Sequence, residues 1–97
     1  MFVHSVYFWL KSDLTDAQRA EFRAGLETLK GVPSEGCWFG PPAPSERPVV
    51  DGSYDFGLTV LFADKAAHDA YQLHPVHQQF ASQFKSYWEK IVVYDHE

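Results

Sequence analysis

Residues 2–11 carry apolar side chains on both alternating faces of an extended chain. One face holds Phe2, His4, Val6, Phe8 and Leu10, and the other Val3, Ser5, Tyr7 and Trp9. A short run so rich in aromatic and β-branched residues predicts a strand, and because neither face is polar both need cover. The pattern then changes period. Thr15 followed by Gln18 has the form of a capping box, and Phe22, Leu26 and Leu29 recur on one face of a helix over 16–30. Gly31 and Pro33 stop it. Residues 35–40 read as a short strand, and 54–62 as a longer one with Tyr54, Phe56, Leu58, Val60 and Phe62 on one side. Asp64 can cap a helix carrying Ala67, Ala70 and Tyr71. Pro75 has no N–H and biases His74 away from helical backbone, so that helix ends near Leu73 and a new one opens at Pro75, with Val76, Phe80 and Phe84 inward. Residues 88–95 close the chain as a last strand.

The element order is therefore β-α-β-β-α-β, with the second helix broken at His-Pro. It predicts an α+β, ferredoxin-like fold, a four-stranded antiparallel sheet with its helices on one face. The other face stays open. Since the first and last strands are apolar on both sides, a bare face would expose more apolar surface than a soluble monomer usually tolerates. A second copy packed on that face is the simplest cover, which predicts a homodimer through the open sheet face with the two sheets forming a barrel.

Ninety-seven residues suffice for one domain, 1–97, with a single core. With 45% hydrophobic and 16% aromatic residues, the sequence is that of a globular chain. A net charge of −5 supplies no basic stripe for phosphates, which argues against nucleic acid and anionic membrane surfaces as partners. No run reaches membrane-spanning length, and Met-Phe-Val-His lacks the charged and apolar start of a secretory leader, so the expected location is cytoplasmic. Cys37 has no internal disulfide partner and reads as a packed thiol. The proline-rich stretch 41–48 reads as an exposed connection.

Chemistry concentrates in residues 71–80, Tyr-Gln-Leu-His-Pro-Val-His-Gln-Gln-Phe. His77 falls in the first turn of the helix opened by Pro75, where the helix dipole disfavours an imidazolium and leaves a neutral base. Tyr71 precedes it by six positions and can bring a hydroxyl near it across the break. Both also suit half-buried packing positions. His74 and His77 could share a metal with Asp95 or His4, but no third and fourth ligand stand at fixed spacing, and no metal site is assigned. His68 and His96 read as exposed.

His4 on the first strand with Leu10-Lys11 at its end, the strand 54–62, the His-Pro-x-His run, and Trp88-Glu89-Lys90 leading to Asp95 together resemble the stress-responsive α/β-barrel (Dabb) family. The resemblance covers nearly the whole chain and implies a dimeric α/β barrel. The C-terminal third, Leu-His-Pro-Val-His followed by residues 84–90, is also similar to a plant polyketide cyclase of that fold. This second resemblance implies His77 as catalytic base, Tyr71 as the group that orients or polarises substrate, and Asp95 as the carboxylate that holds the histidine. In such a trio a carboxylate fixes the tautomer, the free ring nitrogen takes a proton from carbon acidified by a carbonyl, and a phenol stabilises the enolate. No metal or organic cofactor is needed. His4, Phe56, His74 and Trp88 are the expected binding residues around a pocket between sheet and helices. Arg23 and the glutamines at 72, 78 and 79 argue against a long apolar substrate tail. Two functions remain open: a dimeric module that binds a small aromatic or carbonyl compound, and a cofactor-independent lyase, cyclase or isomerase.

Overall fold

The computed structural model describes residues 1–97. Its elements are β1 (Phe2–Leu10), α1 (Asp16–Thr28), β2 (Gly36–Gly40), β3 (Phe56–Phe62), α2 (Lys65–Leu73), α3 (Pro75–Phe84) and β4 (Trp88–His96), all as ordered in the sequence reading. The sheet runs β2-β3-β1-β4 and is antiparallel throughout. The fold is ferredoxin-like, with four strands and three helices.

Local chemistry sets the element ends. Thr15 and Gln18 form both bonds of the capping box, at 3.1 and 2.8 Å. The first helix tightens after Thr28 into a 3₁₀ turn, Leu29–Gly31, which explains why α1 ends before Lys30. β3 starts at Phe56 rather than at 54, because the Asp55 carboxylate accepts the Leu10 N–H at 2.7 Å where a strand carbonyl would otherwise stand. Pro75 stands at the first position of α3, and His74 caps that helix by accepting the Val76 N–H on Nδ1 at 3.1 Å.

Strict alternation along β1 buries Phe2, His4, Val6, Phe8 and Leu10 under the helices. They join Leu58, Val60 and Phe62 of β3 and Phe22, Leu26, Tyr71, Phe80 and Phe84 of the helices in one aromatic core. Phe8 and Phe22 lie edge to face with centroids 5.1 Å apart. β4 is an edge strand that the helices cover only in part: Ile91 and Val93, opposite Phe8 and Val6, remain 40% and 47% exposed.

The opposite face of the sheet is bare. Tyr7 stacks edge-on to Tyr54 at 4.8 Å and Lys90 lies 4.4 Å above the Trp9 ring. Trp38 and Tyr94 are 58% and 65% exposed. Gly57, opposite Tyr7, lets that ring lie flat, since a Cβ there would approach it to 3.3 Å. No helix is long and apolar enough to cross a membrane.

Candidate functional site

The break at His74-Pro75 turns the chain so that the last turn of α2 and the first turn of α3 look into the same space. Tyr71 and His77 face each other there, with ring centroids 4.8 Å apart. Beneath them the sheet supplies His4, and Phe8, Phe80 and Trp88 wall a cavity of about 180 Å³ between sheet and helices. A larger hollow of about 400 Å³ lies between α1 and α3, but it holds no histidine and no buried donor. The smaller cavity is where the chemistry converges.

Tyr71 is 2% exposed and its hydroxyl is the one buried side-chain polar atom without a hydrogen-bond partner. Burial pushes its pKa well up, so the phenol stays protonated and able to donate. His77 has its pKa lowered, chiefly by burial and then by the neighbouring His4, while the nearby Gln72 backbone opposes the shift. The neutral imidazole expected at this position is thus present, with burial rather than the helix dipole as the leading cause. A neutral imidazole keeps one ring nitrogen with its lone pair free.

Asp95 does not hold His77. Its Oδ1 lies 2.6 Å from Nδ1 of His4, because the antiparallel register sets these two residues directly opposite each other on β4 and β1. The carboxylate raises the His4 pKa and burial lowers it; burial is the larger effect and the net shift is downward. His4 therefore donates Nδ1–H to Asp95 as a neutral ring, with Nε2 as its basic atom.

His4 and Trp88 line the cavity as expected, whereas Phe56 and His74 do not. Phe56 packs on Phe22 at 5.7 Å and under the Arg23 guanidinium, at the far side of the core. His74 is spent on capping α3. Arg23 is exposed and lies over Phe39 and Phe56, outside the cavity. Cys37 is half-buried, and burial pushes its thiol pKa up, as suits a packed thiol.

His68 is the residue that pattern reading missed. It was expected in solvent, but its side chain is only 12% exposed and its ring stacks on Phe2 at 4.4 Å. The available signal was its spacing: three residues before Tyr71, it shares the inward face of α2. His68, His4 and Asp95 each offer a metal-ligating atom within 4.8 Å of one another, a different grouping from the His74–His77 pair.

The chain is 23% identical to olivetolic acid cyclase of Cannabis sativa over 96% of its own length and 92% of that protein. It is similar in structure to a dimeric ferredoxin-like protein of Thermobifida fusca, with a TM-score of 0.81 and 20% identity over 98% of this chain and 88% of the other. It is likewise similar to the hydroxynitrile lyase of Passiflora edulis, with a TM-score of 0.78 and 23% identity over 98% and 90% of the two chains. Residues 2–97 match the stress-responsive A/B barrel domain, and the chain belongs to that family, Dabb.

Proposed function

We propose that the protein is a homodimer whose cavity binds a small aromatic or carbonyl compound, with the Tyr71 hydroxyl as its anchoring donor. The observation that carries this reading is the Tyr71 hydroxyl itself, a buried donor with no protein partner on the wall of an otherwise mostly apolar cavity. A buried polar group left unsatisfied costs about 1–3 kcal/mol, and a carbonyl oxygen supplied by a ligand removes that cost. Size narrows the class. An apolar cavity of about 150 Å³ takes benzene, so about 180 Å³ suits one ring with a short polar substituent, or a small β-dicarbonyl compound. A polyketide with a long alkyl tail is too large. The dimer is supported by the bare aromatic sheet face and by the dimeric T. fusca relative.

A second reading has its own support in His77. A neutral imidazole beside the phenol can take a proton from the carbon next to the bound carbonyl while Tyr71 donates to the forming enolate. In that chemistry Tyr71 and His77 are the catalytic residues. Asp95 acts at one remove, through His4. Relatives named as a cyclase and a lyase agree with carbon-acid chemistry on this fold.

One experiment addresses both. The protein, wild type and His77→Ala, is incubated in D₂O with benzaldehyde, acetophenone and acetylacetone, and binding and α-deuteration are followed by NMR. Saturable binding in both variants without enhanced deuteration identifies a binding protein. Deuteration of a bound ketone that disappears in His77→Ala identifies His77 as a base. Absence of saturable binding for every compound would refute the assignment of the cavity.

A further inference from the structure

His4, His68 and Asp95 come together from β1, α2 and β4, and the chemistry proposed for His77 uses neither His68 nor Asp95 directly. We propose that these three residues form a binding site for one divalent transition-metal ion per chain, of the zinc and cobalt class, at the β4 edge of the cavity. Their donor atoms all lie within 4.8 Å of one another.

The donor set selects the ion. Two imidazoles and a carboxylate suit zinc, cobalt or nickel, while calcium and magnesium prefer oxygen ligands alone. In a tetrahedral site with bonds of about 2.0–2.2 Å the donors stand roughly 3.3–3.6 Å apart. Ligation through His4 Nδ1 requires the ring to carry its proton on Nε2 instead, and Nδ1 and Asp95 Oδ1, now 2.6 Å apart, would have to part by less than about 1 Å. The widest separation in the cluster would have to close by about 1.2–1.5 Å. Asp95 can make this movement, because its side chain is 35% exposed on an edge strand.

His68 is already supported as a ligand is. The Asp69 carboxylate lies 3.1 Å from its Nδ1, the carboxylate–histidine arrangement that fixes the tautomer and leaves Nε2 for a metal. That Nε2 currently accepts from the Gln72 amide at 3.2 Å, a weak partner that an ion would displace. Phe2 and Phe62 hold the ring in place from two sides. Three protein donors leave a position open for water, and His4 is shared with the cavity wall, so that position lies beside the ligand space.

The test is titration of chelator-treated protein with Co²⁺, read by the visible absorption of four-coordinate cobalt, and competition with Zn²⁺. One equivalent per chain is expected, displaced by Zn²⁺. His68→Ala and Asp95→Asn should each weaken it by at least about tenfold, while His77→Ala and His74→Ala leave it unchanged. Asp95→Asn preserves side-chain shape, and circular dichroism of each variant confirms that it is folded. Absence of a saturable cobalt spectrum, or one unaltered in both His68→Ala and Asp95→Asn, would overturn the site. Because His77→Ala is expected to bind cobalt normally, the result is separable from the proposed proton transfer.

Discussion

Replacing Tyr71 by Phe should stabilise the free protein. The ring of Tyr71 packs on Phe62 at 5.0 Å and on His77 at 4.8 Å, and a phenylalanine keeps both contacts. What it removes is a hydroxyl with almost no exposed surface and no hydrogen-bond partner among the protein's own groups. The unsatisfied group costs about 1–3 kcal/mol in the folded state and nothing in the unfolded state, where water satisfies it. Its removal should return most of that amount. For a chain of 97 residues, each kcal/mol moves the melting midpoint by about 4–8 °C. Thermal and urea denaturation at one fixed protomer concentration would read the gain, the fixed concentration being needed because the proposed dimerisation would add its own term.

The same substitution should act in the opposite direction on binding. A carbonyl compound loses one neutral hydrogen bond, worth about 0.5–1.5 kcal/mol net, which is a roughly two- to twelvefold weaker affinity. A more stable protein that binds more weakly is the joint signature of a donor reserved for a ligand. If Tyr71→Phe instead destabilised the free protein by more than about 1 kcal/mol, the hydroxyl would have a partner in solution, and its reservation for a ligand would be refuted.

Acidification should weaken the fold in a defined window. His4 and His77 both have folded-state pKa values below the ordinary 6.5, so between 6.5 and those lower values the unfolded chain binds more protons than the folded one. Stability is then full above pH 6.5 and declines as pH falls below it; urea midpoints that stayed flat through that window would contradict the shifts. Tyr94→Asp places a charge on the bare sheet face, 65% exposed in the single chain, and should convert dimer to folded monomer by analytical ultracentrifugation. An undiminished dimer would rule that face out as the interface. Gly25→Ala puts a methyl into the ring of Phe84, which is 2% exposed and cannot swing out. Overpacking costs about 1–3 kcal/mol and the better helix former returns about 0.5–1. A net loss of up to about 2.5 kcal/mol in chemical denaturation is expected, and a gain in stability would mean that Phe84 can move aside.

Much of the architecture was legible because local signals and burial agree. The β1 face that carries His4, expected at a pocket between sheet and helices, is the buried one, the capping box formed, and the His-Pro break separates α2 from α3 at the expected residue. The pairing of Tyr71 with His77 followed from that break. What did not follow was anything decided by contact between distant elements. Phe56 lies on the core side of its strand but at the end away from the cavity, a distinction of position along the sheet that alternation cannot express. His74 was read as a ligand-binding residue although its place before Pro75 already marked it as a cap, and the capping bond is local. A place in the middle of a solvent-facing helix stretch is the sequence expectation for His68, while its spacing from Tyr71 puts it inside.

The placement of Asp95 matters most, since it changes which histidine is permanently partnered. Register, not composition, makes the choice: β4 runs antiparallel beside β1 and sets Asp95 opposite His4, whereas His77 sits on the helix layer above. A proton gained by His4 would be held by an adjacent carboxylate, but one gained by His77 would meet only the nearby Gln72 backbone and a neighbouring imidazole. His77 is thus the poorer place to keep a proton, which suits the base proposed above, a group that would have to hand it back. Asp95→Asn should separate the two rings in an NMR titration. Loss of the carboxylate removes an influence that raises the His4 pKa, so the His4 midpoint should fall, and that of His77 should stay nearly where it was. A larger shift at His77 than at His4 would show that the carboxylate serves His77 after all, and the division of labour between the two histidines would have to be reversed.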